Sequence, residues 1–175
     1  MSERLEPLIA AERIRDRVGE LARQIEEDHR GAPLTLVIVL KGAAVFAADL
    51  MRQISIPFVV DFIGASSYRD QAHSSGTVLI GERTGLDIRD RHVVVVEDIV
   101  DTGLTMTTIL TELRELGPAS LDVCTLLHKQ VAGALPVEIR YKGFEVPDVF
   151  VVGYGMDYAE RHRNLPGIYR LNSAA

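Results

Sequence analysis

Glu97, Asp98 and Asp101 follow directly on four consecutive valines, Val93 to Val96, and lead at once into Thr102, Gly103, Leu104 and Thr105. Carboxylates gathered at the end of an apolar run repel one another, so they call for cationic or hydroxyl-bearing partners. The residues after them suit an anion instead. A strand-to-helix turn offers unpaired backbone N–H groups and the positive N-terminus of a helix. Gly103 lets the backbone approach closely, and the Thr102 and Thr105 hydroxyls can donate further hydrogen bonds. Adjacent carboxylates can clamp vicinal hydroxyls and attract Mg²⁺, which offsets their repulsion. A ribose 5-phosphate meets both demands, its phosphate on the turn and its diol on Glu97 and Asp98. The chain lacks the Gly-Lys-Ser/Thr ending of a nucleoside triphosphatase loop, and Gly153-Tyr154-Gly155 does not extend to GxGxxG.

Such groups need a frame that brings loop residues to one edge. Ile14, Val18, Leu21 and Ile25 recur at helical spacing, which predicts an amphipathic helix ending near Gly31 and Pro33. Leu34–Leu40 is short, apolar and rich in branched residues, the pattern of a strand buried on both faces. A helix is expected over Gly42 to Ile54, a strand over Pro57–Ile63, and another at the valine run. The following helix should carry Ile109, Leu110, Leu113 and Leu116 on one side and stop at Gly117-Pro118, before a returning strand at Leu121–Leu127. Alternating strands and helices predict an α/β fold with right-handed crossovers and a mainly parallel sheet. Ligands of such sheets sit beyond the carboxyl ends of the strands. Three of those ends carry Lys41-Gly42, Glu97 to Thr105, and His128-Lys129.

Composition narrows the functional classes. The 175 residues, 47% apolar and 25% charged, suit one domain with a proper core. A net charge of −6 supplies no basic field for nucleic acid. The lone Cys124 excludes an internal disulfide and alternates with apolar neighbours, so it reads as a buried small hydrophobe. The five histidines show no zinc-type spacing with one another or with Cys124. Charges run through the N-terminal residues, leaving no apolar signal core, and no apolar run nears the roughly 20 residues of a membrane span. A cytoplasmic protein without membrane partners is expected.

Val93 to Thr105 resembles the phosphoribosyl-pyrophosphate signature of the type I phosphoribosyltransferases. Four further stretches resemble the 6-oxopurine, hypoxanthine-guanine branch of that family: Leu40–Gly42, Ser66–Gly76, Leu126–Gln130 and Val146–Pro166. The resemblance runs from about Leu34 to Pro166, nearly the whole chain. It implies a single phosphoribosyltransferase domain over residues 1–175, with a twisted sheet flanked by helices, a small hood and a mobile lid.

The implied activity is transfer of the 5-phosphoribosyl group to N9 of hypoxanthine or guanine, with Mg²⁺, in a homodimer or homotetramer. Lys41, Gly42 and Arg163 would hold pyrophosphate, and Ser67 with Tyr68 would close as the lid. Residues Asp101 to Thr105 would bind the 5-phosphate, Leu104 through its backbone amide where some relatives carry lysine. Glu97, Asp98 and Asp157 would serve the metal. Asp101 would take the N7 proton as general base, and Lys129 would donate to O6. Ile99 and Phe150 would sandwich the purine, the Val151 backbone would read its Watson–Crick edge, and Asp157 would line the same pocket.

Ordinary alternatives stand beside these roles: Phe150 can fill core, Asp157 can cap a following helix, and Arg163 can pair with Glu160 on that helix. A xanthine-preferring enzyme is the nearest rival function. A nucleotide- and RNA-binding regulator on the same fold is the more distant one, and the acidic charge argues against it.

Overall fold

In this computed structural model, residues 3–67, 78–80, 85 and 87–173 are described. The chain order is β1 (Glu3–Ile9), α1 (Ala11–His29), β2 (Leu34–Leu40), α2 (Ala44–Gln53), β3 (Phe58–Ser67) and β4 (Val78–Ile80), then β5 (His92–Val100), α3 (Leu104–Glu115), β6 (Ser120–Gln130), β7 (Tyr141–Pro147), β8 (Val151–Val152) and β9 (Ile168–Ser173). Six strands form one sheet in the order β4-β3-β2-β5-β6-β7. All its pairings are parallel except β3 with β4.

The valine run shows why this sheet is buried on both faces. Successive strand residues point to opposite sides. Val94 and Val96 enter a core with Leu36 and Ile38 beneath α1 and α2, whose Ile14, Val18, Leu21, Ile25, Phe46 and Leu50 complete it. Val93 and Val95 enter a second core with Val37 and Val39, closed by Met106, Ile109, Leu110 and Leu113 of α3. A polar residue at any of these central positions would face a helix rather than water. Cys124 is fully buried in the first core, as its alternation implied, and burial pushes its thiol up, away from a nucleophile's range.

The expected helices and strands form, with differences at their ends. Leu116 does not share the buried face of α3; it is the C-cap and 37% exposed, because Gly117 at φ 71° has already turned the chain. The helix expected over Gly42 to Ile54 is shorter, since Lys41 to Ala43 are spent on a turn closed by the Ala44 N–H on the Lys41 carbonyl.

A second sheet, β1-β9-β8, joins the first described strand to the last and corresponds to the expected small hood. Pro7 and a register shift near it disturb the alternation of β1. No helix among the described residues is long and apolar enough to cross a membrane.

Candidate active site

Parallel register carries the ends of β2, β5 and β6 to one edge of the large sheet: Leu34 lies beside His92, and Val100 beside His128. Lys41 and Asp101 therefore leave the sheet on the side where Lys129 lies near the end of β6. After β5 the chain turns through Asp101 and the exposed Thr102 into α3, whose N-cap is Gly103 at φ 79°. Glycine is required there twice over. A side chain would strain that φ, and its Cβ would lie 2.6 Å from the Leu135 carbonyl oxygen. Thr102 in turn accepts from the Leu135 N–H at 2.8 Å, so a distant loop braces the turn. The first hydrogen bond into α3 runs from Thr107 to Gly103, which leaves the amides of Leu104 and Thr105 without an intrahelical acceptor. No side chain caps the helix. These are the conditions of an anion site.

Glu97 and Asp98 are buried side by side, 7% and 9% exposed. Each carboxylate accepts the next residue's N–H, Asp98 N to Glu97 at 3.1 Å and Ile99 N to Asp98 at 2.9 Å. Burial is the main cause that raises both pKa values above the usual carboxylate range, and for Glu97 the Asp98 charge adds to it. For Asp98, the hydrogen bonds it accepts and the nearby Arg163 guanidinium pull the other way.

Folded-state values above the unfolded ones make these carboxyls stabilising below the ordinary carboxylate range. That contribution fades as pH rises through the raised values. At neutral pH the ligand-free pair is a net cost. Glu97→Gln is expected to stabilise the ligand-free protein at neutral pH by about 0.5–2 kcal/mol. The gain should shrink toward about pH 4, where both carboxyls approach protonation in either state. Calorimetric Tm values across pH check this; an equal gain at every pH would show that the charge is not the cause.

Two glycines lock three segments of the site together. A Cβ on Gly42 would lie 1.9 Å from the Asp98 carboxylate, and one on Gly155, at φ 99°, would lie 2.3 Å from the Gly42 carbonyl oxygen. The 40–42 turn is thus pressed between the acidic pair and the 153–155 turn, and the Leu40–Lys41 peptide within it is cis. Lys41 reaches Glu160 at 3.2 Å. Arg163 donates to the Gly155 carbonyl at 2.8 Å, to Asp157 at 2.8 Å and to Glu160 at 3.1 Å.

The helix expected after Asp157 is absent. The segment holds isolated bridges at Gly153–Met156 and Tyr158–Arg161, with left-handed backbone at Ala159, Glu160 and His162. Asp157 caps a turn rather than a helix, accepting the Glu160 N–H at 2.8 Å. The Arg163–Glu160 pair does form, across that turn.

On the other side of the edge, Lys129, 9% exposed, donates to Asp101 at 2.9 Å and lies 3.8 Å from Asp148. Phe150 is 43% exposed and meets Tyr158 edge-on at 5.6 Å, so it is surface rather than core. The strand beside it spans only Val151–Val152 and is ended by Gly153 at φ 99°. Val151 is buried and pairs with Arg170 of β9, while Ile99 packs at the margin of the first core. Ser67 ends β3; Tyr68 lies outside the described residues. Among the described residues, no three His, Cys, Asp or Glu side chains gather closely enough to enclose a metal ion.

Sequence reasoning named Glu160 only as a partner for Arg163 and missed its contact with Lys41, along with Asp148 and the role of Gly155. The Gly153-Tyr154-Gly155 stretch was legible only as an incomplete nucleotide motif, although two glycines so close together do signal a tight backbone approach.

Comparison with known proteins matches residues 7–159 to the family described as phosphoribosyl transferase domain. A protein of Mycobacterium tuberculosis named hypoxanthine-guanine phosphoribosyltransferase is 46% identical over 171 residues, 94% of this chain and 85% of the relative. One of Escherichia coli named hypoxanthine phosphoribosyltransferase is 41% identical over 170 residues, 96% of each. A crystal structure of a hypoxanthine-guanine phosphoribosyltransferase from Bacillus anthracis superposes with a TM-score of 0.90 at 39% identity, covering 98% of this chain and 100% of that one.

Proposed function

The chain belongs to the phosphoribosyl transferase family, and on that premise we propose that it salvages 6-oxopurines, moving the 5-phosphoribosyl group of phosphoribosyl pyrophosphate to N9 of hypoxanthine or guanine. The observation that carries this reading is the 2.9 Å Lys129–Asp101 pair at the end of the sheet. A 6-oxopurine presents O6 and N7 on one edge. An ammonium beside a carboxylate is complementary to that edge when N7 bears a proton: Lys129 donates to O6, and Asp101 accepts from N7. A 6-aminopurine places donor hydrogens where Lys129 also has donors, so the same pair rejects it.

The chemistry then follows from where charge develops. N9 bonds to C1 of the ribose as the bond from C1 to pyrophosphate oxygen breaks. The electron pair leaves with pyrophosphate, and the N7 proton passes to Asp101. Lys41, the amide of Gly42 and Arg163 stabilise the departing charge. The turn from Asp101 to Thr105 holds the 5-phosphate, with the Leu104 and Thr105 amides aimed outward. Glu97 and Asp98 hold the ribose diol. Phe150 and Ile99 flank the base, the Val151 backbone contacts its far edge, and Ser67 with Tyr68 covers the reacting centre and excludes water.

The buried, cation-demanding Glu97–Asp98 pair fits Mg²⁺, which takes few protein carboxylates and keeps waters and substrate oxygens for its other positions. Asp157 would join them through its face of the site. When bound, Mg²⁺ supplies neutralisation of the donor's phosphate charge.

The decisive experiment is an initial-rate assay with phosphoribosyl pyrophosphate, Mg²⁺ and each of hypoxanthine, guanine, xanthine, adenine and orotate. Magnesium-dependent formation of IMP or GMP is expected. Turnover confined to adenine or orotate would overturn the oxopurine reading, turnover confined to xanthine would make the nearest rival correct, and none with any base would point to a regulator.

A further inference from the structure

One carboxylate in the site answers to no step of this chemistry. Glu160 places one oxygen 3.2 Å from Lys41 and the other 3.1 Å from Arg163, the two side-chain cations assigned to pyrophosphate. We propose that Glu160 is an internal stand-in for pyrophosphate, bridging its two cations in the ligand-free protein and competing with the donor and with product pyrophosphate for them. This rests on the reading of Lys41 and Arg163 as the pyrophosphate-binding cations.

The bridge is more than two chance surface pairs. Lys41 arrives from the end of β2 and Arg163 from a turn 119 to 122 positions later, yet both close on a single side chain. That side chain is presented by backbone that is unusual for its residue types. Ala159, Glu160 and His162 have φ of 50°, 61° and 75°, in the left-handed region where non-glycine residues are uncommon. The Asp157 carboxylate holds the turn through the Glu160 N–H at 2.8 Å, and the Tyr158–Arg161 bridge closes it. Arg163 and Lys41 together favour the charged form of the Glu160 carboxyl and hold its pKa below the usual carboxylate range.

Displacement sets the consequence. Pyrophosphate carries more charge than a carboxylate and more oxygens for the same donors, so it wins the cations but must first release Glu160 from both. After transfer, the returning carboxylate favours departure of the product. Glu160 therefore lowers affinity for the donor and for pyrophosphate alike, and it leaves the nucleotide product untouched, because IMP carries no pyrophosphate group.

Calorimetric binding of pyrophosphate, phosphoribosyl pyrophosphate and IMP, each with Mg²⁺, tests this in the full-length wild type, Glu160→Gln, Lys41→Ala and Arg163→Ala. Loss of an exposed competing pair suggests that Glu160→Gln binds pyrophosphate and the donor about three- to ten-fold more tightly, by similar factors. IMP affinity should not change. If Glu160→Gln leaves pyrophosphate affinity unchanged or weakens it while Lys41→Ala and Arg163→Ala weaken it, the stand-in role is refuted and the pyrophosphate site survives. If neither cation variant weakens pyrophosphate binding, the assignment of that site falls, and the stand-in role with it.

Discussion

Asp101→Asn is expected to lower the forward turnover by roughly 10²–10⁴-fold while phosphoribosyl pyrophosphate still binds. Asparagine keeps the size of the side chain, and its oxygen can still accept from Lys129, which now stands 2.9 Å from the carboxylate. What disappears is the acceptor for the N7 proton. Without it, N9 must attack while N7 stays protonated, and positive charge accumulates on the purine in the transition state. The contacts proposed for the donor lie on the following turn, on Glu97 and Asp98, and on Lys41 and Arg163, none of which depends on the Asp101 charge. Single-turnover rates and the donor dissociation constant separate the two effects. Chemistry at a near-normal rate would remove the general-base role and leave Asp101 as a hydrogen-bonding residue.

Lys129→Ala is expected to cost about 1.5–3 kcal/mol in kcat/KM for the oxopurine, the range of a charge-assisted hydrogen bond, again with donor affinity retained. The structure adds a second source of loss. Lys129 is nearly buried and lies between Asp101 and Asp148, at 2.9 and 3.8 Å. Truncation removes the cation that the two carboxylates share and leaves them facing the base as unrelieved negative charge. Lys129→Met keeps most of the aliphatic stem, so it distinguishes charge from packing: both variants should lose activity to a similar degree. A collapse of donor affinity in either would place Lys129 in the pyrophosphate half of the site.

Much of this arrangement was legible in the sequence because its signals are local. A valine run can only be a strand wanted by two cores, and the alternation of Val93 and Val95 against Val94 and Val96 assigns each residue to its core. The same run, ended by carboxylates and continued by Thr102 and Gly103, marks the strand-to-helix turn and the candidate anion site within a dozen residues. Gly103 at φ 79° and Gly117 at φ 71° punctuate α3 as glycines should, although the second stops the helix early enough to leave Leu116 in solvent. Lys41 and Lys129 were identifiable because each directly follows, or lies within, a strand whose end must face the ligand edge.

Tertiary structure alone decided what those residues touch. Inserting β2 between β3 and β5 brings the 40–42 turn against Asp98. That contact requires Gly42 to lack a side chain, yet no periodicity near Gly42 announces it. Gly155 presses on Gly42, and Glu160 binds Lys41, across most of the chain length. The hood pairs β1 with β9, the opposite ends of the described chain, through an alternation that Pro7 disturbs. Asp157 and Arg163 were named from the sequence as candidate site residues, but a helix was the wrong frame for them; left-handed turns at Ala159, Glu160 and His162 turn both toward Glu160. The physical reason is common to all of these. Helix and strand patterns record what one segment buries against its nearest layer, so they survive in sequence as periods of about 3.6 and 2. A meeting between loops depends on strand order and crossover, which arise from the packing of whole elements, and a single carboxylate or glycine at such a meeting carries no period at all.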